Sequence, residues 1–150
     1  MLYLMRHGSA DNKVPDEIRE LSVAGREGVL KIARQLLENK AKFDFIWHSP
    51  LTRAVQTAEQ VAAVFDCLDR CKRQDSFCPE DSVDHAAADI EEFFYENPAK
   101  SLLVVSHMPL LGALASNLTG RGGRGFPPAG CLALSRQDIC RWKCEQIYTP

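Results

Sequence analysis

Nowhere in the 150 residues do apolar side chains run for anything near the roughly 20 positions that a membrane-crossing helix needs. An excess of positive charge is also missing. With 18 Lys and Arg against 20 Asp and Glu the formal net charge is -2, which excludes bulk attraction to nucleic acid or to an acidic membrane. Any positive charge that matters must be local. No secretory signal is legible: the first apolar run, Leu2 to Met5, is only a few residues long and is followed by Arg6 and His7. A cytoplasmic location is therefore expected. The six cysteines lack metal-ligand spacing. Cys67/Cys71 and Cys140/Cys144 are C-x3-C pairs, Cys78 and Cys131 are isolated, and zinc sites favour tighter C-x2-C pairs. Free, structural thiols are expected rather than disulfides. What remains is the composition of an ordinary globular protein. Its length suits one domain, residues 1–150, burying about two-thirds of the unfolded surface, and no repeat or linker divides it.

Apolar patterning predicts alternating strands and helices. Residues 2–5 read as a first strand. Val29, Ile32, Ala33, Leu36 and Leu37 recur at helical spacing, predicting a helix from Ser22 to Asn39 with Ser22 as N-cap. Phe43 to Trp47 reads as a second strand. Ser49-Pro50 then opens a helix ending near Cys67, with serine as cap and proline at the first helical position. The polar stretch 69–81 carries at most a short strand near Ser76–Cys78. Ser82 caps a helix that stops before Asn97-Pro98. Leu102 to Val105 is a continuous apolar run suited to burial on both faces, and Pro109 opens a helix through Leu118. Residues 119–130 are a mobile surface loop by composition. Cys131–Leu134 and Trp142–Tyr148 form a closing hairpin turned around Gln137-Asp138. This order implies an α/β protein, a three-layer α/β/α arrangement around a mostly parallel sheet.

Three strand ends carry the chemistry. The first ends in Arg6-His7-Gly8, the second in His48-Ser49-Pro50 with Arg53 a few residues into the next helix, and the Leu102–Val105 strand in Ser106-His107. In a parallel sheet these ends share one edge, where open α/β sheets bind ligands. Arg6, His7, Arg53 and His107 then converge, and with helix N-termini they form a pocket for a dianion. A phosphoryl group is the natural occupant.

These residues resemble the histidine phosphatase, or phosphoglycerate-mutase-like, superfamily. The likeness rests on Arg6-His7-Gly8, on the segment from Ser49-Pro50-Leu51-Thr52-Arg53 to Ala58, and on Val104-Val105-Ser106-His107. Arg19-Glu20-Leu21-Ser22-Val23-Ala24-Gly25 resembles the segment that precedes the superfamily's first long helix, and Ser106-His107-Met108-Pro109-Leu110-Leu111-Gly112 is similar to the second-histidine segment of the small phosphohistidine phosphatases of the SixA type. The resemblance implies that His7 is the nucleophile and carries the phosphoryl group as phosphohistidine. It further implies that Arg6, Arg53 and His107 hold the phosphoryl oxygens, His107 best in protonated form. Gly8, Ser9 and Arg19 are candidate substrate-binding residues. No metal or cofactor is implied, because two arginines and a histidine already supply positive charge. The implied partner is a phosphorylated protein, such as a histidine-containing phosphotransfer domain, and the product is phosphate.

Larger members carry an acid that protonates an alkoxide leaving group. Here the candidates are Glu80, Asp81 and Asp84, with Glu80 foremost as a possible acid and a solvated loop carboxylate as the alternative. Without an acid a good leaving group is favoured, and imidazole, whose conjugate acid has a pKa of about 6.5, is a better one than an alcohol. The remaining alternatives are a small-metabolite phosphomonoesterase and a non-catalytic phosphate-binding module. Two readings stand for several side chains. Arg19 reaches the pocket mouth or pairs with Glu17 or Glu20. Ser9 supports the pocket or only a turn, and His48 rims the pocket or is turned away by strand alternation. His85 is expected on a helix surface. Arg121 and Arg124 fall short of a basic face.

Overall fold

Six strands form one sheet in the order β3-β2-β4-β1-β5-β6 in the computed structural model, which describes all 150 residues. The strands are β1 (Leu2–Arg6), β2 (Phe45–His48), β3 (Cys71–Arg73), β4 (Leu102–Ser106), β5 (Cys131–Asp138) and β6 (Arg141–Tyr148). The first four pair in parallel and the β5–β6 hairpin joins β1 antiparallel. Helices α1 (Val23–Glu38), α2 (Thr52–Val64), α3 (Val83–Glu96) and α4 (Leu110–Thr119) connect them. Strand alternation sorts the apolar side chains into two cores. Tyr3, Met5, Leu103 and Val105 pack against Val29 and Ile32 of α1 and Val61 of α2. Leu2, Leu4, Leu102 and Val104 pack against Ile90 and Phe94 of α3 and Leu111 of α4. This is the expected three-layer α/β/α architecture.

Local chemistry explains the element ends. Ser22 caps α1 by accepting the Gly25 amide at 3.0 Å, and Ser82 does the same for His85 in α3 at 3.4 Å. Gly120, at φ +64°, ends α4 in the left-handed conformation that glycine tolerates. Several boundaries differ from the pattern reading. β2 begins at Phe45 rather than Phe43, because the Asp44 carboxylate takes the Ser101 amide at 2.9 Å and hydroxyl at 3.1 Å, fixing where pairing starts. Phe43 instead packs edge-on to Tyr3 in the core, with ring centroids 5.1 Å apart. α2 begins at Thr52, not at Pro50, because Ser49 is consumed by the site described below, and it ends at Val64, two residues before Asp66 takes a left-handed φ of +51°. The strand expected near Ser76–Cys78 is a 3-10 turn, Asp75–Phe77, that drives Phe77 into the core, and the pairing strand lies earlier, at Cys71–Arg73. The hairpin turns at Ile139-Cys140 rather than Gln137-Asp138. Asp138 still pairs with Arg141, and Cys140 takes the left-handed φ of +59°.

Candidate active site

Register brings three strand ends to one level. Arg6 of β1 pairs with Ser106 of β4, and His48 of β2 with Val105. The ladder continues past the strands: the His7 amide donates to the Ser106 carbonyl and the Ser49 amide to the Val105 carbonyl, each at 3.1 Å. His7, Ser49 and His107 are thereby neighbours, and the two imidazole centroids lie 4.9 Å apart. Arg53 enters from the first turn of α2, buried, with its Nε 3.2 Å from His7 Nε2. The structure thus brings together Arg6, His7, Arg53 and His107.

The backbone around His7 is packed too tightly for side chains. A Cβ on Gly8 would stand 2.8 Å from the Gly25 carbonyl and from Val29 Cγ2, and one on Gly25 would stand 1.9 Å from the Ser9 carbonyl. Glycine at both positions lets α1 press against the loop that carries His7. Ser9 takes part through that carbonyl, which accepts the Ser22 amide at 3.0 Å, while its residue as a whole is exposed. The Gly8 amide donates to Thr57 Oγ1 at 3.1 Å, and Thr57 donates to the Arg53 carbonyl at 2.7 Å. Thr57, one turn beyond Arg53, therefore clamps the His7 loop to α2.

Hydrogen bonding fixes the protonation of His7. Its Nδ1 lies 2.7 Å from the Gly8 carbonyl oxygen, which only accepts, so Nδ1 carries the proton and Nε2 is an unprotonated acceptor whose electron pair takes the Arg53 Nε–H at 3.2 Å. Burial pushes the His7 pKa down to about 4; the Gly8 bond opposes this, and Arg53 and Arg6 reinforce it. His107 falls to about 3, again chiefly through burial and then through His7 and Arg53. Both rings are neutral at neutral pH in the anion-free site. An anion bound beside them acts in the opposite direction and favours protonation.

Two buried polar atoms in this cluster have no partner: Arg6 Nε and His107 Nδ1. Such atoms cost free energy unless something hydrogen-bonds to them. The other end of Arg6 is fixed, Nη1 donating to the Phe126 carbonyl at 2.8 Å. That contact corrects the expectation that residues 119–130 are a mobile surface loop throughout. Arg121 and Arg124 are exposed. Phe126, however, is buried, the Ala129 amide donates to the His7 carbonyl at 3.0 Å, and the Gly130 carbonyl accepts the Arg6 amide at 2.9 Å. Composition marks this segment as a loop, and nothing in it signals that its second half braces the first strand.

A cleft of ≈ 570 Å³ opens onto Arg53, flanked by Asp16, Leu51, Cys78, Glu80, Met108 and Pro109 among others. Asp16 was not legible as a site residue. Its carbonyl accepts Arg53 Nη1 at 2.8 Å and its carboxylate accepts Nη2 at 3.2 Å. Arg19 pairs with Asp16 at 3.1 Å, not with Glu17 or Glu20, and also donates to the Asp11 and Ala10 carbonyls and to the Asn12 side chain. It shapes the mouth of the cleft through Asp16. Glu80 stands exposed on the cleft wall. Asp81 instead caps the Cys78 amide at 2.5 Å, and Asp84 lies in the first turn of α3. His48 is buried, its Nδ1 3.1 Å from the Ser49 carbonyl and without a bond to His7, Arg53 or His107. His85 is exposed on α3. All six cysteines are free thiols.

Residues 2–72 match the family model described as histidine phosphatase superfamily (branch 1). The chain is 31% identical over 137 residues to the phosphohistidine phosphatase SixA homolog of Haemophilus influenzae, covering 85% of this chain and 83% of that one. It is 30% identical over 118 residues to phosphohistidine phosphatase SixA of Escherichia coli, covering 78% and 73%. The fold is similar to that of the protein histidine phosphatase SixA complexed with tungstate, with a TM-score of 0.93 and 24% identity over 99% of this chain and 96% of that one.

Proposed function

The chain belongs to the histidine phosphatase superfamily, and from that premise we propose that it removes the phosphoryl group from phosphohistidine on a protein substrate. The substrate ring enters protonated on the nitrogen that does not carry phosphorus; His7 Nε2 attacks phosphorus, the bond from phosphorus to that ring breaks, and the electron pair leaves with the ring, which departs as neutral histidine. Water then attacks the phosphorylated His7, releasing phosphate and restoring the imidazole. The observation that supports this reading most is the environment of His7 Nε2. Nε2 carries no proton because Nδ1 donates to Gly8, and its electron pair accepts the Arg53 Nε–H at 3.2 Å, a donor that a phosphoryl oxygen would take over. The two unpartnered buried nitrogens, Arg6 Nε and His107 Nδ1, lie in the same cluster. A phosphoryl oxygen is the partner each lacks, and such positioned donors stabilise charge as it develops in the transition state.

Leaving-group chemistry favours phosphohistidine over ordinary esters. Asp16 is tied to Arg53 and Arg19, and Asp81 caps a backbone amide. Glu80 is the cleft carboxylate left to act as an acid, and its presence supports a second reading, a small-metabolite phosphomonoesterase. The substrate we favour is a histidine-containing phosphotransfer domain, because the cleft opens at the surface beside exposed Glu80. The six strands in one sheet suit a single catalytic unit, and the free thiols suit a reducing cytoplasm. Purified protein incubated with a phosphohistidine protein should release phosphate, whereas His7→Ala should release none. Faster turnover of an aliphatic phosphate ester than of phosphohistidine would move the assignment to the second reading. A stable complex with no turnover of either substrate would leave only a binding module.

A further inference from the structure

We infer that Ser49 is a positioning residue that holds neutral His107 in the tautomer with its proton on Nδ1, so that the ring meets the phosphoryl group with an N–H before any further proton is taken up. The inference deepens the phosphatase reading and rests on it for the identity of the anion. Its basis is the wiring of one buried hydroxyl. Ser49 is fully buried at the end of β2, with its Oγ 2.7 Å from His107 Nε2. The same oxygen accepts the Leu51 amide at 3.3 Å, and an amide N–H can only donate. Its third neighbour is Cys78 Sγ at 3.9 Å, a thiol whose pKa burial raises. The serine has one proton to give. The imidazole nitrogen at 2.7 Å is a far better acceptor than a neutral thiol at 3.9 Å.

If Oγ–H donates to Nε2, that nitrogen is an acceptor and the ring proton sits on Nδ1. Nδ1 is the His107 atom left buried and without a partner. With Nε2 occupied by Ser49, any N–H that His107 offers to a ligand must come from Nδ1. The opposite tautomer would aim a lone pair at an anion. Ser49 thus does for His107 what the Gly8 carbonyl does for His7, and the two contacts fix opposite roles: an unprotonated nitrogen on the inner side of one ring and a donor on the other. The same contact accounts for the late start of α2, since a serine engaged this way is not the helix N-cap.

The test is 15N–1H NMR of histidine side chains at neutral pH, with His107 signals assigned by their loss in His107→Asn. In the wild-type protein the 15N shifts should show His107 protonated at Nδ1 and bare at Nε2. In Ser49→Ala they should move towards a mixture of tautomers. With a phosphohistidine substrate, Ser49→Ala should lower kcat roughly three- to tenfold, the range for one neutral hydrogen bond, with KM little changed. A His107 protonated at Nε2 in the wild type, or tautomer shifts indifferent to Ser49→Ala, overturns the inference even if the enzyme turns over normally. Absence of wild-type turnover together with the expected tautomer and its response to Ser49→Ala would overturn the phosphatase reading and leave the role of Ser49 intact.

Discussion

Taking the protein from about pH 7 to about pH 5.5 should cost it about 2.5 kcal/mol of stability through two side chains, His7 and His107. In the unfolded chain each histidine titrates near 6.5 and is largely protonated at the lower pH. In the folded protein burial holds them down at about 4 and about 3, so both stay neutral. The unfolded state then binds more protons, and stability falls as pH falls, beginning near 6.5 and levelling off only once the folded-state values are reached. Each ring contributes about 0.2 kcal/mol of penalty near pH 7 and about 1.4 kcal/mol near pH 5.5. The result is insensitive to the depth of the shift, since any folded-state pKa below about 4.5 yields nearly the same difference.

Urea unfolding followed by the fluorescence of Trp47 and Trp142, both buried, reads this directly. At a denaturant slope of about 2 kcal/mol per molar the midpoint should drop by roughly 1.2 M. Carboxylates held below their ordinary range, such as Asp16 and Asp44, lose their contribution only below about pH 4 and do not enter this window. The double variant His7→Gln, His107→Gln should keep whatever midpoint it has across the same pH change. A wild-type midpoint that does not move, or a double variant that moves equally, would refute the attribution to these rings.

Three further outcomes follow from the same contacts. Gly25→Ala places a methyl 1.9 Å from the Ser9 carbonyl, and should destabilise the protein by at least about 2 kcal/mol in urea titration while also lowering turnover, because the displaced loop carries His7. Sulfate, dianionic throughout the range, should bind more tightly by calorimetry as the pH is lowered from about 8 to about 6, since an anion raises the pKa of His107 and binding then takes up a proton; affinity that is flat or weakens would contradict this. With a thiol reagent such as Ellman's, Cys140, exposed at the hairpin turn, should react first. Cys67 and Cys131, buried and with raised pKa values, should stay silent until the chain unfolds, and Cys140→Ser should remove the fast phase.

The strand ends were legible because two independent signals coincide there. Apolar runs mark β1, β2 and β4, and each is followed at once by residues too polar to be core unless they serve a site. His7, Arg53 and His107 meet both conditions. Asp16 and Thr57 meet neither. Asp16 lies in an exposed polar segment indistinguishable from a solvated loop, and only the return of that segment over Arg53 gives it a role. Thr57 is a polar residue inside a helix, and the bond that gives it a role comes from the Gly8 amide 49 residues away. Ser49 misled for a related reason. Serine before proline is a strong N-cap signal, but the local preference, worth about 1 kcal/mol, yields where a buried imidazole stands 2.7 Å away. The Phe126–Gly130 brace was hidden because glycine and proline report turns without reporting what the turns touch.

The charges around His7 explain why the site favours an anion. Arg53, buried and cationic, is offset by Asp16 at 3.2 Å, a carboxylate whose pKa is held below its usual range, Arg19 and Arg53 outweighing an opposing effect of burial. The two histidines add nothing while they are neutral. Arg6 is then the cation of the cluster without an acidic partner, held by a carbonyl alone. A net positive cluster with neutral, adjustable rings is stable enough to fold and incomplete enough to attract a dianion. If the dianion draws a proton onto His107, that proton and Arg6 together match its two charges, and Asp16 need not leave Arg53. The carboxylate, with the Asp16 carbonyl, then keeps Arg53 aimed across His7 Nε2.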